Sequence, residues 1–208
     1  MGAAIEDNVV RALNNLRDQW DPENKYADCE FKRQAEVFPD VRFQNTDTGE
    51  ILMGIELKGW YLLSKEMEPS FRFRVTPAVC APQDLLVIFP WALENVLSGR
   101  PQIFKPYVKP ARFVAEYRNY WWQHKRQTED SIEIKIPKVE KFYPEGRESI
   151  EDKPAYDAGN NFGRIARTEI MDDFVDNCGK IVLSGIEVGT WQEFLKATRK
   201  SQKTLKLS

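Results

Sequence analysis

The most restrictive feature of this sequence is a continuous apolar run that follows Asp84 and ends at Trp91. It reads Leu85-Leu86-Val87-Ile88-Phe89-Pro90-Trp91, without the alternation of a strand that faces water on one side. Such a run is typical of a β-strand covered on both faces. A chain of 208 residues is long enough to build these layers within one domain. The run therefore predicts an α/β fold with this strand at the centre of the sheet.

A β-hairpin is predicted earlier in the chain, over residues 39–58. Two strand-like segments, 39–43 and 51–58, flank a polar stretch that contains Thr48-Gly49. Glycine accepts the positive φ that tight hairpin turns require, so this dipeptide marks the turn.

The hairpin is expected to bring charged side chains together. Side chains alternate along a strand, so Glu56 and Lys58 share one face while Ile55 and Leu57 share the other. Asp40 begins the partner segment, and a hairpin of this length folds it back toward Glu56. The sequence thus predicts two carboxylates and an ammonium around one point.

This arrangement matches a known nuclease motif. Pro39-Asp40, fifteen further residues and then Glu56-Leu57-Lys58 resemble the PD-(D/E)xK nuclease superfamily, which includes many type II restriction endonucleases. The resemblance implies that Asp40 and Glu56 are metal ligands, that the Leu57 carbonyl is a backbone ligand and that Lys58 is the catalytic lysine. It also implies Mg²⁺ as cofactor, with Mn²⁺ as a substitute, and double-stranded DNA as substrate. A homodimer would cut both strands.

The motif is short, and a simpler interpretation stays open: an exposed hairpin whose Glu56 and Lys58 form a solvated pair. A second Glu-x-Lys, Glu133-Ile134-Lys135, has no Pro-Asp at hairpin distance. We interpret that segment, residues 131–137, as a half-buried strand with a polar face.

Composition excludes some classes of protein. One histidine and three cysteines without paired spacing argue against a zinc site and favour a reduced, cytoplasmic environment. No apolar run reaches the length that a bilayer requires, and the first residues lack a signal-peptide pattern. The net charge of −2 neither supports nor excludes a DNA enzyme.

Two basic groups are candidate DNA contacts. Residues 71–76 alternate as a third strand with Arg72 and Arg74 on one face, which suits phosphate binding but equally a solvent-facing edge. A proline-rich loop carries a second group, for which a plain surface connector is nearly as good an interpretation. Its members are Arg100, Lys105, Lys109 and Arg112.

The remaining patterns predict helices over 5–20, 91–97, 111–127 and 161–177, and a last helix opened by Thr190. They also predict a long loop or mobile insertion over 137–160 and a strand over 180–184. The aromatic stripe of helix 111–127 favours a core position, with a dimer interface as the second interpretation. His124 is expected to be exposed. Glu6 and Glu36 could join a metal site, although solvated surface acids are the simpler interpretation of both.

Together these features predict one domain over 1–208, an α/β fold with a mixed central sheet flanked by helices and a restriction-endonuclease-like core. The expected activity is Mg²⁺-dependent hydrolysis of DNA phosphodiester bonds by a sequence-specific enzyme. A non-catalytic nucleic-acid- or protein-binding module is the alternative, as is a repair or RNA nuclease with the same metal centre.

Overall fold

A six-stranded mixed sheet forms the centre of the computed structural model, which describes residues 2–34, 37–128, 131–144 and 149–205. Its strands are β1 (Cys29–Arg33), β2 (Val41–Asn45), β3 (Ile51–Tyr61), β4 (Leu85–Leu93), β5 (Pro101–Ile103) and β6 (Tyr107–Pro110). β1, β2 and β3 form an antiparallel meander, and β3 then pairs with β4 in parallel. On its other edge, β4 pairs antiparallel with β6 along its first half and with β5 along its second.

Helices and two small two-stranded sheets surround this sheet. The helices are α1 (Gly2–Asn15), α2 (Arg17–Trp20), α3 (Ala111–Tyr120), α4 (Asp172–Gly179) and α5 (Val188–Leu205). The small sheets are antiparallel and pair β7 (Ile134–Lys135) with β8 (Lys153–Pro154), and β9 (Val182–Leu183) with β10 (Ile186–Glu187). The α/β class with a mixed central sheet flanked by helices is therefore confirmed. No helix in the described ranges has the length and apolarity needed to cross a bilayer.

Strand β4 is covered on both faces, which explains its continuous apolar run. Leu86 and Ile88 are fully buried in a core on one face, which also contains Val114 of α3. Val87 belongs to a second core on the opposite face, against which Leu13 of α1 packs. Because successive side chains of a strand point to opposite faces, both cores require apolar residues from β4.

The third predicted strand, residues 71–76, is absent from the sheet. Phe73 and Val75 are buried, but their carbonyls accept hydrogen bonds from the Arg118 guanidinium at 2.7 and 3.1 Å. Among the described residues its strand-like pairing is a single bridge, Val75 to Glu151, beside which the Asp152 N–H donates to the Arg74 carbonyl at 2.9 Å. The alternation signals a half-buried extended segment, but a side chain rather than a neighbouring strand binds the Phe73 and Val75 carbonyls.

Three further boundaries differ from the sequence prediction. The helix expected over 91–97 is wrong, because β4 continues to Leu93 and pairs there with β5. The helix expected over 161–177 begins only at Asp172, after positive φ angles at Gly163 (83°) and Glu169 (67°) that no helix accommodates. The last helix begins at Val188, so Thr190 lies within it.

The segment predicted as a strand over 180–184 contributes β9, which pairs with β10 outside the central sheet. Between 137 and 160 the described residues are irregular apart from β8 and the bridge at Glu151. Of the strand predicted over residues 131–137, only the two-residue strand β7 forms. Glu133 and Lys135 are exposed as a polar face should be, but Ile132 and Ile136 are also 50% and 62% exposed, so the half-buried prediction is wrong.

Helix α3 is confirmed and continues as a π-helix over Trp121–Lys125, where His124 is exposed as expected. Its aromatic stripe does not face the core throughout. Phe113 and Tyr120 are 47% and 50% exposed, and the buried face of the helix consists of smaller residues and one arginine. These are Ala111, Val114, Ala115 and Arg118.

Candidate active site

The candidate site forms where β3 extends beyond β2. The pairing of these strands starts at Val41, opposite Ile55, and β3 continues from there to Tyr61 alongside β4. Asp40 immediately precedes β2. Its side chain lies beside β3, where a longer β2 would have continued the pairing. The Leu57 N–H donates a 2.7 Å hydrogen bond to Asp40 Oδ2. A carboxylate thus replaces the carbonyl that another strand would have offered.

Three charged side chains meet at this point. Lys58 Nζ lies 2.6 Å from Glu56 Oε1 and 3.8 Å from Asp40 Oδ2. Glu56 is only 7% exposed, whereas Lys58 and Asp40 are partly accessible. The structure therefore brings together Asp40, Glu56 and Lys58, and Leu57 lies between the last two with its backbone facing Asp40.

Burial and the charges of their neighbours set the pKa values of Asp40, Glu56 and Lys58. Burial is the main reason that the pKa of Glu56 rises from 4.5 to about 7, opposed by the Lys58 ammonium and assisted by Asp40. Burial also raises the pKa of Asp40, again against the effect of Lys58. For Lys58 burial alone would lower the pKa, but Glu56 and Asp40 together raise it above its ordinary value. The lysine is accordingly an ammonium at neutral pH.

Helix α1 contributes a further acid at the border of the site. Glu6 forms a 2.8 Å ion pair with Arg33 at the end of β1. Its charge, after the larger effects of burial and of Lys58, also raises the pKa of Asp40. Glu6 is therefore a paired acid near the group rather than a freely solvated one. Glu36 lies outside the described residues.

Asp84 is a buried acid that was not predicted from the sequence as part of the site, and it holds the backbone next to it. Asp84, fully buried at the start of β4, accepts 2.7 Å hydrogen bonds from the Gly54 and Ala81 N–H groups. The Tyr143 hydroxyl donates to the same carboxylate. Burial raises the pKa of Asp84, opposed by these three donors. The sequence signal that could have identified Asp84 is its position directly before an apolar run.

Gly54 lies between the Asp84 carboxylate and the Pro39-Asp40 turn. A Cβ atom at this position would stand 2.6 Å from Pro39 Cγ and 3.0 Å from Asp84 Oδ1. We expect Gly54→Ala to lower the free energy of unfolding by about 1–3 kcal/mol, because the proline ring cannot rotate away. Urea denaturation measures this effect.

Gly179→Ala is the matched control, since nothing lies within 4 Å of the corresponding Cβ. Equal stabilities of the two variants would show that the chain around Pro39 relaxes freely, and that Asp40 is not held from this side.

The donors present suit a hard divalent cation. Asp40 and Glu56 offer carboxylate oxygens, and the Leu57 carbonyl faces the same strand edge as its N–H. Mg²⁺ usually takes one or two carboxylates and completes its shell with water and substrate phosphate. Among the residues with described positions, no group of three or more histidine, cysteine, aspartate or glutamate side chains is placed to hold a metal. The protein donors that this point offers to a hard cation are therefore two carboxylates and one backbone carbonyl.

Comparison with protein-family models, curated proteins and solved structures gives no significant match for this chain. The functional interpretation consequently depends on the geometry of the site itself.

The candidate DNA contacts lie elsewhere on the protein. Arg72 and Arg74 donate to Asn160, through its carbonyl and its side chain, rather than to the three-residue site. The second basic group is exposed: Arg100 and Lys105 in loops, Lys109 in β6 and Arg112 in α3. Arg112 forms an exposed ion pair with Glu116 at 3.0 Å.

Proposed function

We propose that this protein is a Mg²⁺-dependent endodeoxyribonuclease with a restriction-endonuclease-like core, and most specifically a type II restriction enzyme of the PD-(D/E)xK superfamily. The observation that carries the proposal is the meeting of Asp40, Glu56 and Lys58 at one point on the edge of β3. The short motif alone would be weak support. The partial burial of all three groups is what distinguishes it from a solvated surface pair.

In this proposal Asp40, Glu56 and the Leu57 carbonyl would hold Mg²⁺, and the bound metal would supply Lewis-acid polarisation of the scissile phosphate and offset the charge that develops there. Lys58 stays close to both carboxylates, so its ammonium can contact an incoming phosphate oxygen and orient the attacking water. The raised pKa of Lys58 favours this charge-stabilising role over proton abstraction.

The protonation of Glu56 makes the site sensitive to pH. Metal ligands must be deprotonated, and the pKa of Glu56 lies at about 7. We expect Mg²⁺ affinity, and cleavage with it, to fall below that pH by up to about tenfold per pH unit. Calorimetric titration of Mg²⁺ at several pH values measures the slope.

In the metal-free protein, the raised pKa of Glu56 has the opposite effect: it lowers the stability of the fold as pH rises. Between pH 4.5 and about 7 the unfolded chain releases the proton that folded Glu56 retains, so the free energy of unfolding decreases as pH rises. Above about 7 this contribution to the slope vanishes. Glu56→Gln should remove the Glu56 contribution to the pH dependence of stability and weaken Mg²⁺ binding, and an unchanged pH profile of stability in that variant would contradict the assignment.

Double-stranded DNA and a second copy of the chain are the proposed partners. The exposed basic residues near β5 and β6 support an electrostatic contact with a phosphate backbone. The row Phe113, Tyr117, Tyr120 and His124 on α3 has neighbouring rings 5.2–6.3 Å apart. Exposed aromatic side chains of this kind anchor interfaces, which supports a homodimer.

One observation favours the alternative of a non-catalytic binding module. The Lys58 ammonium already compensates the two carboxylates, as it would in a purely structural ion-pair network. That alternative predicts that Mg²⁺ changes neither thermal stability nor any nucleic acid.

The deciding experiment is incubation of phage and plasmid DNA with the protein and Mg²⁺, with EDTA as the control. Discrete fragments would support a sequence-specific enzyme, and a smear would support a nuclease without site specificity. Single-stranded, mismatched and RNA substrates identify a repair or RNA nuclease. No cleavage of any of these substrates, modified DNA included, would contradict the proposal.

A further inference from the structure

A basic cavity of about 280 Å³ lies between the C-terminal end of α3 and the loop that leads to α4. Four arginines line it, and no acidic residue is among the lining side chains that the structure describes. They are Arg118, Arg126, Arg164 and Arg167. A cavity with this lining is suited to an anion rather than to an apolar molecule.

The arginines differ in how far their charge is compensated. Arg118 is paired with the buried Asp152 at 2.5 Å, and Arg167 with Glu68 at 2.5 Å. Arg164 is different, because its Nε atom is buried without a hydrogen-bond partner among the described residues. Its charge also adds to that of neighbouring Arg74: after burial, these two lower the pKa of Arg72, opposed by the smaller effect of Asp157. Arg164 therefore lies in a cluster of three arginines that this carboxylate only partly compensates.

Trp122, which also lines the cavity, carries a neutral donor without a partner among the residues with described positions. Trp122 is only 2% exposed, and its indole N–H has no partner within the described parts of the chain. The ring is fixed between Phe162, in edge contact with centroids 5.2 Å apart, and the Arg126 guanidinium, 3.5 Å from the ring centroid. A buried donor left without an acceptor is unfavourable, and a bound anion would supply the missing acceptor.

We propose that this cavity binds a phosphate group, with the Arg164 guanidinium and the Trp122 N–H as its donors. The planar fork of a guanidinium matches two phosphate oxygens, and charge-assisted hydrogen bonds of this type are the strong ones. The phosphate belongs either to a nucleic-acid backbone or to a free phosphomonoester. The site is separate from Asp40, Glu56 and Lys58, so it stands whether or not the protein is a nuclease.

Calorimetric titration with inorganic phosphate tests the site, in EDTA so that no metal at the other site contributes. We expect saturable binding by the wild-type protein and an affinity about ten- to a hundredfold lower in Arg164→Gln. Arg11→Gln, which removes the same charge from an exposed position on α1, should bind as the wild type does. Trp122→Phe keeps an aromatic ring, loses the N–H donor together with part of the ring volume, and should also bind more weakly.

Absence of phosphate binding by the wild-type protein at millimolar concentration would overturn the proposal. So would equal losses in Arg164→Gln and Arg11→Gln, because a general field rather than this cavity would then be responsible. Competition identifies the source of the phosphate. Displacement by a duplex without terminal phosphates assigns the cavity to backbone phosphodiesters, whereas displacement by a nucleoside monophosphate alone assigns it to free esters.

Discussion

Replacing Lys58 by alanine is expected to reduce DNA cleavage by about 10²- to 10⁴-fold while the protein remains folded. The ammonium lies 2.6 Å from Glu56 and 3.8 Å from Asp40, so no other described side chain is equally placed to stabilise charge at these two carboxylates. Without it, Glu56 simply retains a proton to a higher pH, which limits the cost to folding. Cleavage rates at saturating Mg²⁺, with circular dichroism as the test of folding, measure both effects.

The chain provides a matched control in its second Glu-x-Lys. Lys135 follows Glu133 at the same spacing but is exposed on the short strand β7. Lys135→Ala should therefore cleave DNA at the wild-type rate. If Lys58→Ala also cleaved at that rate, Lys58 would not be a catalytic residue, and the assignment of the active site to Asp40, Glu56 and Lys58 would be lost.

Replacing Arg118 by methionine is expected to lower the free energy of unfolding by about 3–5 kcal/mol. Arg118 and Asp152 are 1% and 0% exposed, so the variant leaves a buried carboxylate without its cation. The guanidinium also donates to the Phe73 and Val75 carbonyls, which join segment 71–76 to α3. Burial lowers the pKa of Arg118 to about 10, opposed by Asp152, so the arginine is charged at neutral pH.

Urea denaturation of two further variants separates the buried charge from simple loss of a side chain. Arg112→Met removes an exposed arginine of the same helix, and its ion pair with Glu116 contributes at most about 1 kcal/mol. The double variant Arg118→Met with Asp152→Leu should recover much of the lost stability, because no unpaired charge remains. A loss in Arg118→Met no greater than in Arg112→Met would show that Asp152 reaches solvent or another cation.

The parts of the fold that local sequence determines were predictable. The turn at Thr48-Gly49 and the alternation of β3 are local, so the meeting of Asp40, Glu56 and Lys58 follows from a hairpin alone. The run after Asp84 likewise predicted a strand covered on both faces, and β4 is one.

The parts that depend on distant residues were not predictable. Segment 71–76 has the alternation of a strand, but its Phe73 and Val75 carbonyls bind Arg118, more than forty positions along the chain. Nothing near Arg118 or Asp152 signals that they form a buried pair. Asp84 is an intermediate case, since its position before an apolar run is local, whereas its partner Tyr143 comes from the irregular region after β7.

The carboxylate that replaces a strand beside Leu57 has a second consequence, for self-association. An open strand edge is a template on which another chain can pair. Here the Leu57 N–H, which lies on β3 beyond its pairing with β2, already donates to the Asp40 carboxylate. A neutral strand that paired at this position would have to displace that charged group. Asp40 therefore protects the sheet edge against aggregation as well as serving as a candidate metal ligand. Any loss of activity in an Asp40 variant has to be separated from oligomers formed through this edge.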